Sequence, residues 1–220
     1  FFIPLSEVPW YRPLSSQVFF WFGQMLFGLN PLPWHVMIFL THLGTAALLF
    51  TLVKQLTNRF SLAVLSAFLY ATHGLHLIAL SWLAAYSFVL GPFIGVTVLL
   101  LYSKKYHWWS ISCFFIGVLT TEIHILLPII LLVYQLARKE KDSLIRLIFF
   151  VILSSAVLLV RFVLFPANTT GLYQTGLMGI FSTTKFYLMQ AIGLPMLFTS
   201  MPSYLFISTL VAGLFLIIVL

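Results

Sequence analysis

Long apolar runs separated by short polar or proline-containing breaks organise this chain. The runs predict an aromatic helix over 16–29, spans over about 34–53, 60–80, 83–102, 145–165 and 204–220, and shorter segments over 107–121, 123–137 and 185–199. Glycine and asparagine end helices and proline begins them, so the sequence GLNPLP separates the aromatic helix from the first span. Because a bilayer core requires about 20 apolar residues per span, we expect an all-α integral membrane protein, a polytopic bundle of about six to seven spanning or half-spanning helices.

Composition agrees with a membrane protein and excludes an ordinary soluble domain. Apolar residues make up 62% of the chain and charged residues 7%. The single cysteine, Cys113, excludes an intrachain disulfide. The chain begins without methionine and ends within the apolar run GLFLIIVL, so we expect a fragment, incomplete at both ends, of one transmembrane domain over 1–220. Within it, 1–31 is expected to be an extracytoplasmic interfacial segment.

The basic residues indicate how the helices are oriented. Eight of the eleven lie in three loops that alternating spans bring to one side: Lys54, Arg59, Lys104, Lys105, Arg138, Lys139, Lys141 and Arg146. Basic loops of membrane proteins face the cytoplasm, so this side is predicted to be cytoplasmic. Basic loops of this kind account for the net charge of +7, so no nucleic acid is needed to explain it. The expected partner is the lipid bilayer.

Ionisable residues close to apolar runs are costly, and here they gather on the opposite, extracytoplasmic side. Two of the four acids, Glu7 and Glu122, remain for chemistry on that side. Glu122 lies between two half-length apolar runs, so it should be protonated, paired with a cation or at a water-filled cavity. Arg12, taken alone, could equally be an anchor to phospholipid headgroups.

The histidines have structural explanations as well as functional ones. His73 and His76 would share a helix face, where an interfacial hydrogen-bonded pair is favoured over a metal site because no third ligand is recognisable. His35 would lie near the outer surface, and the deeper His42 is predicted to bond across to a neighbouring helix. Gly91 and Gly95, in GPFIG, match the small-xxx-small pattern of close packing.

Several motifs, in order, resemble those of GT-C fold glycosyltransferases that use polyprenyl-phosphate sugars, such as the transmembrane and TPR repeat-containing O-mannosyltransferases and their prokaryotic relatives. The matching stretches are YRPL at Tyr11–Leu14, FGLNP at Phe27–Pro31, the aromatic–His pair Trp34–His35, and His42. Two later motifs match with changes. HGLH keeps His73 and His76 with Gly74 in place of proline, and TTEIHILLP keeps Glu122 and Pro128 with Thr121 in place of lysine.

The resemblance implies a membrane enzyme that transfers a sugar from a polyprenyl-phosphate donor to a hydroxyl of a protein or glycan acceptor at the extracytoplasmic face of a cell or endoplasmic reticulum membrane. Arg12, braced by Tyr11 and Pro13, would grip the donor phosphate, because arginine offers phosphate a planar fork of donors. The main catalytic acid of this family precedes YRPL and is expected upstream of Phe1, which leaves Glu7 and Glu122 as the candidates within the chain. No cofactor and no metal are expected, and the residues expected to line the donor or acceptor cavity are His35, His73, His76, Glu122 and His124.

Two alternatives remain open. A secondary transporter would also use short, interrupted helices such as 107–121 and 123–137, with a site near the membrane midplane. A non-catalytic, lipid-binding scaffold would use Arg12 only as an interfacial anchor.

Overall fold

Capping signals explain where the first long helix begins and ends. In the computed structural model, which describes residues 12–74, 76–138 and 144–164, helix α2 spans Pro31–Thr57. The side chain of Asn30 accepts a hydrogen bond from the Leu32 N–H at 3.2 Å, and Pro31 occupies the first turn, where its missing N–H costs nothing. Asn58 ends the helix in the left-handed conformation, with φ of 56°. The helix predicted over 34–53 is confirmed and is longer at both ends.

All regular elements within the described residues are helical, which confirms the all-α prediction. A π-helical turn over Pro13–Val18 leads into α1, and 3₁₀ turns over Leu83–Ala85 and Glu122–Leu126 precede α5 and α7. The helices are α1 Phe19–Phe27, α2 Pro31–Thr57, α3 Phe60–Thr72, α4 His76–Ser81, α5 Ser87–Ser103, α6 His107–Val118, α7 Leu127–Arg138 and α8 Leu144–Leu164.

The predicted span over 60–80 is wrong, because the chain leaves the helix at His73. Helix α3 has 13 residues, and His73 follows it with extended backbone, φ −68° and ψ 126°. Gly74 comes next, and glycine has the lowest helix propensity after proline. The short helix α4 then begins at His76. His73 therefore follows α3 while His76 begins α4, and the two do not share the face of one helix.

Within the described ranges, two helical stretches, Pro31–Thr57 and Leu83–Ser103, are long and apolar enough to cross a membrane, and Phe60–Thr72 and Arg146–Val160 are shorter apolar helices. The short segments predicted over 107–121 and 123–137 correspond to α6 and α7, of 12 residues each. The predicted segments over 185–199 and 204–220 lie outside the described residues. A bundle of more than two spans stays a prediction.

Two apolar clusters hold the helices together. The larger one packs α5, α6, α7 and α8 around Val98, Phe114, Leu131 and Phe150, each at most 1% exposed. The second packs α2, α4 and α5 through Ile38, Ala79 and Val89, with Tyr86 stacked on Phe19 of α1 at a ring separation of 4.0 Å. These clusters fix the start of α5 beside the turn between α6 and α7, where the candidate site lies.

Candidate functional site

An ion pair joins Arg12, at the start of the described chain, to Glu122, in the turn between α6 and α7. The Nε of Arg12 donates to Oε2 of Glu122 at 2.9 Å, and the two side chains are 19% and 23% exposed. Of the three states that the sequence left open for Glu122, the structure contains the pair with a cation.

Two residues at the start of α5 also contact Arg12. Its Nη1 donates to the buried hydroxyl of Ser87 at 3.2 Å. The guanidinium carbon lies 5.5 Å from the ring centre of Phe88, within the range of a cation–π contact. Two segments that are distant from Arg12 in the sequence, the turn after α6 and the start of α5, thus converge on its guanidinium and orient its plane.

Hydrogen bonds to the end of α6 hold the segment that carries Arg12. The Leu14 N–H donates to the Leu119 carbonyl at 3.3 Å, and the buried Ser15 hydroxyl donates to the Thr120 carbonyl at 2.7 Å. The last carbonyls of a helix have no hydrogen-bond donor within it, so donors from another segment of the chain can satisfy them. The same turn therefore presents Glu122 and fixes the segment bearing Arg12.

His124 supports this turn from behind. It is 1% exposed, with Nδ1 at 3.1 Å from the Thr121 carbonyl and Nε2 at 3.0 Å from the Gly91 carbonyl of α5. A neutral imidazole has a proton on only one nitrogen, so it can donate only one of these bonds. Burial lowers the pKa of His124, and the two carbonyl contacts act in the opposite direction. Its contacts are those of a side chain that holds the turn against α5.

Glycines make room for this histidine. A Cβ on Gly117 would lie 2.8 Å from Cδ2 of His124, and one on Gly91 would lie 2.9 Å from Cγ2 of Thr121. A Cβ on Gly95 would lie 3.7 Å from Nε2 of the imidazole, which is ordinary van der Waals contact. The close packing predicted from Gly91 and Gly95 is present, and its partner is the turn after α6.

A second cluster of rings gathers His42, Tyr70, His73 and His76 where α2, α3 and α4 meet. The His76 ring centre lies 4.7 Å from that of His42, 4.5 Å from that of Tyr70 and 6.2 Å from that of His73. His42, 1% exposed, bonds through Nε2 to the Ala71 carbonyl at 3.1 Å, as the predicted interhelical bond requires. Burial lowers the pKa of His76, and the charges of His42 and His73 lower it further.

His35 belongs to neither group. Its Nδ1 lies 2.9 Å from the Pro31 carbonyl and its Nε2 lies 3.4 Å from the Ser81 carbonyl, so it ties the start of α2 to the end of α4. Glu7 and Tyr11, the other two candidates from the sequence, lie outside the described residues. Across the described ranges, no group of three or more histidine, cysteine, aspartate or glutamate residues is placed to hold a metal ion.

An open apolar groove of 800 Å³ runs along the first half of α2. One of its walls is Thr41, whose hydroxyl lies 3.3 Å from that of Tyr86, the residue before Ser87. The groove is thus linked through neighbouring residues to the surroundings of Arg12. Its lining residues are Phe27, Asn30, Leu32, Pro33, Val36, Met37, Leu40, Thr41 and Phe93.

The sequence analysis missed Ser87, Phe88 and Ser15, which contact or hold Arg12. Their signal is weak because each is a common residue in an apolar surrounding. Ser87 lies four residues inside the span predicted over 83–102, and only the structure places it at the start of a helix.

Comparisons with models of protein families, with curated proteins and with solved structures find no match for this chain. The function proposed next therefore depends on the motif resemblance together with the geometry around Arg12.

Proposed function

We propose that this chain is the membrane domain of a glycosyltransferase that moves a sugar from a polyprenyl phosphate to an acceptor hydroxyl at the extracytoplasmic face. The observation that carries the proposal is the oriented guanidinium of Arg12, held by Glu122 and Ser87 at one end of the bundle.

The distribution of charge between the two ends supports a membrane orientation. The ends of α2 and α5 meet where Gln55 donates to Ser103 at 3.1 Å, and the end of α7 joins them where Arg138 donates to the Leu56 carbonyl at 3.3 Å. Lys54 and Lys104 lie at the same helix ends. Basic residues favour the cytoplasmic side, so the opposite end, with Arg12, faces the extracytoplasmic side.

The described surface supports contact with lipid. Large apolar side chains in such numbers would drive association in water, whereas a bilayer solvates them. Among those exposed by more than 60% are Trp21, Met25, Leu29, Leu32, Phe60, Leu77, Trp108 and Leu136.

Arg12 suits the charge that develops during sugar transfer. The acceptor oxygen forms a bond to the anomeric carbon as the bond from that carbon to the phosphate oxygen breaks, and the acceptor proton passes to a carboxylate. The lipid phosphate leaves with one more negative charge than it had in the donor. A guanidinium fixed beside that oxygen stabilises the charge without having to reorganise first.

Glu122 acts in this scheme as a positioning residue. A carboxylate paired with a guanidinium is stabilised in its ionised form, and the pair in turn orients the cation. The proton acceptor is then a different acid, which the resemblance to GT-C enzymes puts ahead of the YRPL segment. His124 and the glycines around it hold the turn that carries Glu122.

The apolar groove along α2 gives the lipid tail a place beside the phosphate. Its volume of 800 Å³ is large enough for several isoprene units. Thr41, which lines the groove, contacts Tyr86, and the next residue, Ser87, contacts Arg12. This adjacency supports a donor whose tail lies in the groove and whose phosphate lies at the guanidinium.

The test is consumption of a labelled polyprenyl-phosphate sugar by the full-length protein in liposomes. We expect the wild type to release or transfer the sugar and Arg12→Ala to lose this activity. Arg12→Lys retains the charge without the planar fork, and we expect it to lose at least tenfold in rate. The matched control is Arg59→Ala. Arg59 precedes α3 at the end of the bundle opposite to Arg12, so this variant should retain full activity.

Insertion and folding of each variant are checked by its elution as a single species in detergent. Full turnover by Arg12→Ala would overturn the role of Arg12. No consumption of any polyprenyl-phosphate sugar by the wild type would overturn the proposed activity.

The break between α6 and α7 favours a second candidate, a secondary transporter. Discontinuous helices with polar side chains at the break form ion and substrate sites in such proteins. Solute accumulation by vesicles containing the protein, dependent on an ion gradient and lost in Glu122→Gln, would support this candidate over the enzyme.

A further inference from the structure

A basic cavity lies at the other end of the bundle, between the start of α6 and the start of α8. Its volume is 400 Å³, and its lining residues are Lys105, His107, Trp108, Ile111, Arg146 and Phe149. We infer that this cavity binds the phosphate of an anionic phospholipid from the leaflet on the cytoplasmic side.

The two cations that line the cavity come from different elements. Lys105 lies in the turn between α5 and α6, and Arg146 is in the first turns of α8. An anion between them would be attracted by both. α6 begins at His107, so the positive end of its dipole adds to the same potential.

The backbone at Lys105 is unusual in a way that fits this site. Lys105 has φ of 67°, in the left-handed region that glycine normally occupies after a helix. Its N–H donates to the Tyr102 carbonyl at 2.9 Å, and the Tyr106 N–H donates to the Leu101 carbonyl at 2.9 Å, which closes the end of α5. Glycine would be sufficient for the turn, whereas lysine at this position also lines the cavity.

Apolar side chains beside the cations favour a lipid over a free phosphate. Trp108 is 72% exposed, and its ring lies 5.8 Å from that of Phe149, which is 44% exposed. Exposed aromatic rings at the level of lipid headgroups are typical of membrane interfaces. Basic pockets between helices on the cytoplasmic side bind acidic headgroups, while adjacent apolar surface accommodates the acyl chains.

The inference depends on the proposed membrane orientation but not on sugar transfer. The full-length protein in detergent is titrated with dioctanoyl phosphatidylglycerol, and bound lipid is counted by native mass spectrometry. Dioctanoyl phosphatidylcholine and inorganic phosphate are the comparison ligands. We expect the anionic lipid to bind at least fivefold more tightly than either of them.

Variants assign this binding to the cavity. Each cation near an acidic headgroup contributes about a fivefold change in affinity. Lys105→Asn and Arg146→Gln should therefore each weaken the binding of phosphatidylglycerol by about that factor. Asparagine tolerates the left-handed backbone at 105, which keeps the turn intact. The matched control, Lys104→Asn, removes a neighbouring charge that does not line the cavity and should leave the affinity unchanged.

Equal affinity for phosphatidylcholine, or an equal effect of Lys104→Asn, would overturn the site. Binding of inorganic phosphate as tight as that of phosphatidylglycerol would overturn the assignment to a lipid. Sugar transfer, measured on the same variants, should be unchanged at saturating donor, so a failure of this site is distinguishable from a failure of the proposed enzyme.

Discussion

Arg12 and Glu122 are separated by 110 residues in the chain, yet their side chains form a hydrogen-bonded ion pair at 2.9 Å. The pair closes a contact between the segment that precedes α1 and the turn that separates α6 from α7. It also lies at the end of the bundle where the proposed donor phosphate would bind.

The first prediction concerns the coupling between these two residues. Arg12→Gln and Glu122→Gln should each reduce the free energy of unfolding by about 1–3 kcal/mol, because each leaves a charged, mostly buried partner without its counterion. The double variant should lose less than the sum of the two. The measurement is reversible unfolding in mixed micelles, analysed as a double-mutant cycle. A coupling energy indistinguishable from zero would show that the pair does not stabilise the fold.

The second prediction concerns the contact between Gly117 and His124. Gly117→Ala should lower the thermal midpoint, because the new Cβ would lie 2.8 Å from an imidazole that two carbonyls hold in place. In a His124→Ala background the same substitution should raise the midpoint, since alanine favours a helix over glycine by about 1 kcal/mol.

Gly74→Ala is the matched control for this pair, because a Cβ there has open space around it. Its midpoint should stay close to that of the wild type. A similar loss from Gly117→Ala in both backgrounds would contradict the proposed steric contact.

The third prediction is a loss of stability in mild acid. Burial and two neighbouring histidines lower the pKa of His76, so the unfolded chain takes up its proton at a higher pH than the folded chain. The contribution of His76 to stability is fully present above its unfolded pKa of about 6.5, and it is lost as the pH falls through the lowered folded value.

Thermal midpoints between pH 8 and pH 5 measure this effect. His76→Gln should reduce the slope of the thermal midpoint against pH below pH 6.5. Adding His124→Gln should reduce this slope further, because burial lowers the pKa of His124 as well. His35→Gln, which removes a half-buried histidine outside both groups, serves as the comparison. An unchanged slope in the double variant would show that these histidines do not set the acid sensitivity.

The fourth prediction concerns the two ends of α3. In a Cys113→Ser background, Thr57→Cys and Gly74→Cys put single thiols beyond opposite ends of this helix, and both positions are exposed. A membrane-impermeant maleimide added outside intact cells should label Gly74→Cys alone, because the basic residues Lys54 and Arg59 adjoin position 57. Labelling of Thr57→Cys alone would reverse the proposed orientation.

Much of the fold was predictable from local patterns. The α2 helix follows from an apolar run with Asn30 and Pro31 at one end and Asn58 at the other, and the break at Glu122 was predicted from a carboxylate between two short runs. The end of α3 at Thr72 was not predicted, because the apolar pattern continues through 75–80 and only the backbone at His73 and Gly74 interrupts it.

The sequence by itself determined the all-helical architecture, the apolar character of the helices and the separation of basic loops from the other ionisable residues. These features depend on composition and on neighbours within about one or two helical turns. It also identified Arg12 and Glu122 as unusual, because charges beside apolar runs are costly wherever the chain folds.

Only the tertiary structure decided that these two residues pair, that Ser87 joins them and that His42, Tyr70, His73 and His76 form one cluster. Each of these contacts depends on how α2, α3, α5 and the turn after α6 pack together. The packing is set by side-chain volumes, including the space left by Gly91 and Gly117, and such complementarity between distant segments has no periodic signal in a single sequence.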